Sequence, residues 1–272
     1  MLTFEEVAAA PSRPADARIS YGALPLQFGE IRLPAAGPSR VPLVVLLHGG
    51  CWQSAYDLAH TAPAATALTR EGWAVWTPEY RRLGDDGGGW PGTFDDIASA
   101  VDFVRELSTR YPVIDTTRVV LMGHSAGGQL ALWAASRKAG DATALVARAP
   151  LHIHGVVALA AISDLATYGA QGGGCNSAVT PLLGGTPATV PARYATVSPT
   201  EHPPLGVTVR LVHGTDDPIV PIEQSRAFTR LFNSLGGLAV LGEVPGAGHF
   251  DVIAPQAEAW SAVLAAVAAL KE

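Results

Sequence analysis

Residues 119–127 read VVLMGHSAG, and the nine residues after them read GQLALWAAS. The first segment predicts a buried strand and the second predicts a helix. A G-x-S-x-G motif between a strand and a helix is typical of a nucleophile elbow, in which the serine projects from a sharp turn. Small neighbouring residues suit such a turn, because its backbone is strained and adjacent elements approach closely. We therefore predict that Ser125 is a nucleophile.

The rest of the chain alternates short apolar runs with longer amphipathic stretches. Strands are predicted at residues 41–47, 73–78, 118–122, 156–162, 207–212 and 238–244. Helices are predicted at residues 63–71, 94–111, 126–138, 222–235 and 256–270. This alternation implies the α/β class, with a mostly parallel central sheet and helices on both faces. Residues 27–33 predict an antiparallel strand at the edge of that sheet.

A single domain over residues 1–272 accommodates these elements. A chain of 272 residues can bury a substantial core, and 48% hydrophobic against 15% charged residues indicates an ordinary folded protein. Residues 164–206 are rich in Gly, Pro and Thr and are too long for a simple connection. Long loops in compact domains are often functional, so this stretch predicts a lid-like insertion.

Charge and hydropathy argue against two classes of partner. The net charge is −6, whereas nucleic-acid-binding surfaces are basic. The chain has no apolar run near the roughly 20 residues that a membrane span requires. The first residues, MLTFEEVAAAPSRP, are acidic and lack the apolar centre of a secretory signal. We therefore predict a cytoplasmic protein that binds neither nucleic acid nor a membrane, and we leave its oligomeric state open.

A serine hydroxyl needs a base to take its proton, and two histidines compete for that role. His249 lies in PGAGHF, a glycine-rich loop after the last predicted strand. Such a loop can place the imidazole over the edge of the sheet where the elbow lies. His213 ends a strand within HGTDD, where hydrogen bonds that shape the turn are its expected role. We predict that His249 is the base.

The acid that orients this base is expected in HGTDDPIVP, after the strand at residues 207–212. Asp217 fits the spacing H-G-x-x-D-x-x-V-P, and its neighbour Asp216 is then expected to cap the turn or to face solvent. The order along the chain is Ser125, Asp217 and His249, which is the order that this type of hydrolase requires.

The loop HGGCW, residues 48–52, follows the first strong strand and supplies a fourth element. Acyl-transfer enzymes aim backbone N–H groups at the oxygen that becomes negative in the tetrahedral intermediate. The expected donors of this oxyanion hole are the N–H groups of Gly50, Cys51 and Ala126. Trp52 and Trp90 are candidate walls of the substrate pocket, with a core position as the equal alternative for Trp52.

Cysteine and histidine usage predicts no metal site and no cofactor. Cys51 and Cys175 are the two cysteines of the chain. Two are too few for a disulfide framework, so two free thiols are the favoured interpretation, and one bridge between them is the alternative. His152 and His154 share one face of a strand, but no third ligand stands near them in the sequence.

The motifs HGGCW, GHSAGG, HGTDDPIVP and GAGHFD together resemble the α/β-hydrolase superfamily from about residue 20 to the end of the chain. The longer run HGGCWQS resembles the kynurenine formamidases (arylformamidases) and related small carboxylesterases. That resemblance implies metal-free hydrolysis of an aryl formamide, such as N-formylkynurenine, or of a small acyl ester. Cys51 stands where an aromatic residue is expected in arylformamidases, and residues 79–92 look more like other bacterial hydrolases.

The prediction is therefore a serine hydrolase that acts on a small-molecule acyl substrate, with an arylformamidase-like preference, or alternatively a short-chain carboxylesterase. A non-catalytic binding protein on the same fold would be expected to lack a member of the triad. Dehalogenases and dienelactone hydrolases use Asp or Cys at the nucleophile position, which argues against both. Hydroxynitrile lysis also uses this triad and stays open.

Overall fold

The computed structural model describes residues 1–35, 39–138, 149–172 and 174–271. Its eight strands form one sheet in the order β1-β2-β4-β3-β5-β6-β7-β8. β1 and β2 run antiparallel to their neighbours, and the remaining strands are parallel. The strands are β1 Ala17–Ser20, β2 Phe28–Arg32, β3 Val41–Leu47, β4 Ala74–Pro78, β5 Ile114–His124, β6 Gly155–Leu159, β7 Thr208–Gly214 and β8 Leu238–Val244.

Helices cover both faces of this sheet, which confirms the predicted α/β architecture. They are α1 Phe4–Ala8, α2 Ala62–Arg70, α3 Gly92–Asp102, α4 Val104–Arg110, α5 Ala126–Ser136, α6 Leu165–Ala170, α7 Val179–Leu183, α8 Pro191–Val197, α9 Glu223–Ser234 and α10 Trp260–Ala268. Short 3-10 helices lie at Leu58–Thr61, Gly174–Ala178 and Asp251–Ile253. Within the described ranges, every helix is too short or too polar to cross a membrane.

The central strands are apolar on both faces because each face packs against its own hydrophobic core. In β3, the side chains of Leu43, Val45 and Leu47 enter one core, whereas those of Val44 and Leu46 enter the other. The first core lies under α3, α4, α5 and α9, and the second lies under α1, α2 and α10. A parallel sheet covered on both faces shows continuous apolar runs rather than alternation, as β3 does.

Two predicted elements differ from the structure. The antiparallel strand predicted at residues 27–33 exists as β2, but β1 lies outside it and forms the edge of the sheet. β1 escaped prediction because it has only four residues, of which Ile19 alone is buried. The helix predicted at residues 94–111 is divided at Phe103 into α3 and α4.

The stretch at residues 164–206 contains α6, α7, α8 and one 3-10 helix rather than an open loop. These short helices pack through buried side chains of Leu165, Tyr168, Leu182 and Val197 onto the core that contains α5. The insertion thus lies on the face of the sheet that also carries the elbow helix. Its movement as a lid stays a prediction.

Candidate active site

Ser125 occupies the turn between β5 and α5, as the G-x-S-x-G motif predicts. Its backbone adopts φ 57° and ψ −120°, a left-handed φ that a residue with a side chain rarely adopts. Its N–H donates to the carbonyl of Leu159 at 2.8 Å, which holds the turn against β6. The residue is 2% exposed, so its side chain meets only what enters the pocket described below.

The glycines of the elbow are required by close backbone approach. A Cβ at Gly123 would overlap the carbonyl of Gly127, and a Cβ at Gly127 would overlap the carbonyls of Leu47 and His48. Because backbone atoms rather than flexible side chains occupy that space, no rotamer change would relieve the overlap. The turn therefore packs directly against the start of the HGGCW loop.

The structure brings Asp217 and His249 together as predicted for an acid and a base. Nδ1 of His249 lies 2.7 Å from Oδ2 of Asp217, and the Asp217 side chain is fully buried. An ionised carboxylate can only accept, so the proton is on Nδ1, and Nε2 of His249 keeps a lone pair. That tautomer is the one that can accept a proton from a serine hydroxyl.

Asp217 stays ionised because it is surrounded by donors. Its Oδ1 accepts from the N–H groups of Ile219 (2.8 Å) and Val220 (2.9 Å). Burial acts to raise the pKa of Asp217, but the hydrogen bonds from His213 and His249 outweigh it and hold that pKa well below its ordinary value. A carboxylate that accepts several hydrogen bonds is stabilised in its charged form.

Asp216 and His213, the alternatives to Asp217 and His249 in the sequence, both make hydrogen bonds at the turn after β7. Asp216 is exposed and accepts from the Thr215 hydroxyl at 2.9 Å. His213 is buried, its Nε2–H donates to the Val220 carbonyl at 2.9 Å, and its Nδ1 accepts from the Ser225 hydroxyl at 2.7 Å. His213 also lies 3.3 Å from Asp217. It therefore shapes the turn that carries the acid.

His124, next to the nucleophile, ties the loop of His249 to the elbow. Its Nε2–H donates to the carbonyl of His249 at 2.8 Å, and the two rings lie 4.5 Å apart. Burial, with a smaller contribution from the nearby His249, holds the pKa of His124 well below its ordinary value. The ring is therefore neutral and does not place a second positive charge beside the base.

The backbone of the HGGCW loop follows an unusual path. Gly50 has φ 105°, and the two non-glycine residues Cys51 and Trp52 have φ 53° and 55°. Strained backbone of this kind concentrates at active sites. Within the described residues, the N–H groups of Gly50, Cys51 and Ala126 donate to no other group. Of these three residues, Gly50 and Cys51 line the cavity described below, and the oxyanion hole stays a prediction.

A buried carboxylate supports this loop from behind. Oε1 of Glu79 lies 2.8 Å from Nε2 of His48 and 3.1 Å from the Arg82 guanidinium. The Tyr80 ring stacks on His48 at 4.3 Å, and its hydroxyl donates to the His48 carbonyl. Burial acts to raise the pKa of Glu79, but His48, Arg82 and the Tyr80 N–H together hold it below its ordinary value.

Ser125 and His249 line one small cavity of about 100 Å³. The hydroxyl of Ser125 makes no hydrogen bond to another described residue, which is common before substrate binds, because catalytic hydrogen bonds tighten in the substrate complex. The remaining wall is mostly apolar or aromatic. The other lining residues are Phe4, Gly50, Cys51, Tyr56, His60, His124, Ile219 and Phe250.

Neither predicted tryptophan wall is among the residues that line this cavity. Trp52 is fully buried in the core, and its indole N–H donates to Oε1 of Gln129 at 3.1 Å. The core alternative for Trp52 is therefore the one observed. Trp90 packs against Phe94 and lies under the Arg193 guanidinium, away from Ser125. Within the HGGCW turn, Gly50 and Cys51 line the cavity, whereas Trp52 enters the core.

The structure joins Cys51 and Cys175 in a disulfide, where two free thiols were favoured from the sequence. Their Cα atoms lie 5.1 Å apart although 124 residues separate them along the chain. The bridge fixes the oxyanion loop to the insertion, since Cys175 lies in the 3-10 helix Gly174–Ala178. Two isolated cysteines so far apart in sequence carry no signal of pairing, because only the fold brings them together.

Within the described residues, no three His, Cys, Asp or Glu side chains are grouped closely enough to hold a metal ion. The polar groups that line the cavity include the Ser125 hydroxyl and the imidazole of His249, which is paired with a carboxylate.

A family model places this site among known proteins. The model of the BD-FAE family matches residues 30–232, which span most of the chain. The chain belongs to the BD-FAE family. This is an α/β-hydrolase esterase family. The matched segment contains the oxyanion loop, the elbow and Asp217. The closer resemblance to arylformamidases is not shown by this match and stays a prediction.

Relatives of this BD-FAE family member include esterases. Esterase LipQ of Mycobacterium tuberculosis (strain ATCC 25618 / H37Rv) is 27% identical over an alignment of 236 residues that covers 82% of this chain and 54% of that protein. The chain thus spans about half the length of this curated relative.

Solved structures share the fold at lower identity. A carbohydrate esterase from gut microbiota, solved in truncated form, is 21% identical with a TM-score of 0.78, covering 96% of this chain and 97% of that one. Esterase B from Lactobacillus rhamnosis (HN001) is 21% identical with a TM-score of 0.80, and the match covers 98% of this chain and 90% of that one. A propionate-bound esterase of Thermogutta terrifontis is 24% identical with a TM-score of 0.70, and the match covers 89% of this chain and 87% of that one.

Sequence reasoning missed most of the wall of this BD-FAE family site. Tyr56 and His60 follow the oxyanion loop within ten residues, so proximity in sequence was an available signal. Phe250 adjoins the predicted base and could have been included for the same reason. Phe4 had no such signal, because it lies far from every motif and reaches the cavity only through the fold.

The buried cluster around Glu79 predicts that part of the free energy of unfolding is lost at acid pH. The pKa of Glu79 lies below 4.5 in the folded state and near 4.5 in the unfolded state. At a pH between these two pKa values, the protein therefore takes up a proton on Glu79 when it unfolds. This contribution to stability is present above about pH 4.5 and is lost as pH falls through the folded pKa. Glu79→Gln should therefore lose less unfolding free energy than the wild type between pH 5 and 3.

Urea unfolding at a series of pH values measures this difference. At pH 7, Glu79→Gln is expected to be less stable by about 3 kcal/mol, because one partner of a buried charged cluster is removed. Glu5→Gln, at an exposed position, is the matched control and should follow the wild type at every pH. Parallel pH curves for Glu79→Gln and the wild type would contradict the assignment.

Proposed function

We propose that this protein is a serine carboxylesterase that hydrolyses esters of small acyl groups. One observation carries the proposal: Ser125 and His249, whose imidazole is paired with the buried Asp217, line one cavity together with Gly50 and Cys51 of the HGGCW loop. Membership of an esterase family and the likeness to LipQ support it.

The first step forms an acyl-enzyme. The Ser125 hydroxyl attacks the ester carbonyl carbon while Nε2 of His249 accepts its proton. The carbonyl oxygen becomes negative and accepts hydrogen bonds from the N–H groups of Gly50, Cys51 and Ala126. The imidazolium of His249 then gives its proton to the departing alkoxide, and the alcohol leaves.

The second step returns the enzyme to its starting state. Water attacks the acyl carbon as His249 takes one of its protons, and the same N–H groups stabilise the second tetrahedral intermediate. Its collapse releases the carboxylic acid and returns the proton to Ser125. Asp217 fixes the tautomer of His249 throughout and stabilises its cation without becoming protonated itself, which agrees with its lowered pKa.

A formamidase activity is the second candidate, favoured by the run HGGCWQS at the oxyanion hole. The same residues would cleave an aryl formamide, with formyl as the acyl group and the aryl amine as the leaving group. We rank it second because the family and the curated relative are esterases. An esterase is also the better match to a mostly apolar cavity, since the formyl group has no alkyl chain to bury there.

Parallel turnover of p-nitrophenyl acetate, p-nitrophenyl butyrate and N-formylkynurenine tests the proposal. We expect both esters to be hydrolysed with kcat/KM above that for the formamide, and hydrolysis to stop after treatment with a serine-directed fluorophosphonate. A preference for the formamide by orders of magnitude would replace carboxylesterase by arylformamidase. Binding of these compounds without turnover would identify a non-catalytic binding protein instead.

A further inference from the structure

The first helix of the chain contributes an aromatic ring to the catalytic cavity. Phe4 lines that cavity, and its ring lies 5.1 Å from Tyr56, 5.3 Å from His60 and 6.0 Å from Phe250. All three neighbours line the cavity as well. Phe4 is thus the centre of an aromatic wall that faces the nucleophile.

Several contacts hold this helix in place. The N–H of Leu2 donates to Oδ1 of Asp251 at 2.8 Å, just beyond the base His249. Thr3 and Glu6 cap the helix reciprocally, and Val7 is fully buried in the core under α10. Phe4 is therefore a fixed part of the wall, because the backbone on both sides of it is anchored.

The cavity suits the acyl group better than the alcohol. The acyl group stays bonded to Ser125 through both steps, whereas the alcohol must leave for solvent after the first. A small, mostly apolar cavity beside the nucleophile can hold a group that stays. At about 100 Å³ it is smaller than the roughly 150 Å³ cavity that accommodates benzene in another protein.

The imidazole of His60 in this wall adds no charge. His60 is buried and lines the cavity together with Phe4. Burial, with the nearby His48, lowers the pKa of His60 to about 4, so the ring is neutral at the pH of an esterase assay. A neutral His60 therefore adds no charge that would oppose the binding of an alkyl chain or of another neutral acyl group.

We propose that Phe4 sets the upper limit of acyl-chain length, admitting acetyl to butyryl groups and excluding longer chains. This inference rests on the proposed esterase function. Phe4 is then a specificity determinant in the first helix, although it is remote in sequence from all the catalytic motifs. Replacing the ring by a methyl group extends the cavity in the direction of α1.

The test compares kcat/KM for p-nitrophenyl acetate, butyrate, hexanoate and octanoate in the wild type, Phe4→Ala and Phe4→Trp. Each additional methylene that becomes buried contributes about fourfold to kcat/KM. We expect Phe4→Ala to raise the ratio of hexanoate to acetate at least tenfold, since two methylenes beyond butyrate gain a place. Phe4→Trp should lower the ratio of butyrate to acetate.

Glu5→Ala is the matched control, because it changes an exposed side chain of the same helix and no cavity residue. It should leave the hexanoate-to-acetate ratio as in the wild type. Equal ratios in Phe4→Ala and the wild type, or equal shifts in Phe4→Ala and Glu5→Ala, would overturn the inference while leaving the esterase intact. Absence of ester hydrolysis in the wild type would instead refute the proposed function. Circular dichroism of each variant verifies that it is folded.

Discussion

Ser125→Ala is expected to lower kcat for p-nitrophenyl acetate on the order of 10⁵-fold, with little change in KM. Among the described residues that line the cavity, Ser125 alone carries an aliphatic hydroxyl, and alanine offers the ester no nucleophile. Residual turnover would come from the N–H groups of the oxyanion hole and from binding alone, which still accelerate hydrolysis by about 10³–10⁴-fold over water.

The same variant should fold as well as the wild type. The Ser125 hydroxyl makes no hydrogen bond to another described residue, and alanine can adopt the same strained φ of 57° at a similar cost. Its melting temperature should therefore change little. Ser12→Ala, at an exposed position, is the matched control and should keep full activity. Activity of Ser125→Ala within tenfold of the wild type would refute Ser125 as the nucleophile.

Loss of the Cys51–Cys175 bridge is expected to produce the largest change in stability. The bridge closes a loop of 124 residues, and the chain-entropy model gives about 5 kcal/mol for a loop of that length. Strain and residual structure usually reduce such figures, so we expect Cys175→Ser to lose about 3–5 kcal/mol of unfolding free energy. Total stabilities are commonly about 5–15 kcal/mol, so this is a large fraction.

Guanidinium unfolding with and without reductant measures the effect. The reduced wild type and Cys175→Ser should unfold at similar denaturant concentrations, both well below the oxidised wild type. Reductant should leave Cys175→Ser itself unchanged. If reductant does not shift the midpoint of the wild type, or if the unfolded oxidised protein shows two titratable thiols, the bridge does not form in solution.

The bridge also bears on the predicted location of the protein. Disulfides persist in oxidising compartments and are rare in the cytosol of mesophiles. The cytoplasmic location, which was based on the opening residues and on the lack of a long apolar run, stays a prediction, and a Cys51–Cys175 bridge would be more typical of an oxidising compartment. Cell fractionation with thiol labelling would distinguish the two.

Local patterns predicted the motif-bearing parts of the molecule well. The run at residues 41–47 is the strand β3, because a strand buried on both faces needs apolar residues on both. The run at 238–244 is the edge strand β8, which its apolar, β-branched composition predicted although Leu238 and Val240 are exposed. The strand–turn–helix setting around Ser125 and the spacing of Asp217 in its turn depend on nearby residues, so sequence could locate both. In the structure His249 pairs with Asp217 and lines the same cavity as Ser125, and the catalytic triad stays a prediction.

Features that depend on distant contacts escaped sequence analysis. The pairing of Cys51 with Cys175 and the approach of Phe4 to Ser125 exist only once the sheet has assembled. Trp52 illustrates the same limit, since its partner Gln129 lies 77 residues away. The break at Phe103 was missed for another reason: apolar spacing continues through it, so periodicity alone reads one helix.

The first helix is anchored to a segment of the chain that the ribosome synthesises much later. The hydrogen bond from Leu2 to Asp251 spans 249 residues. At about 5–20 residues per second, a ribosome needs on the order of 10–50 s to add the residues between them. Phe4 is synthesised well before Phe250 and Asp251, so the cavity can gain this aromatic wall only after translation has passed them.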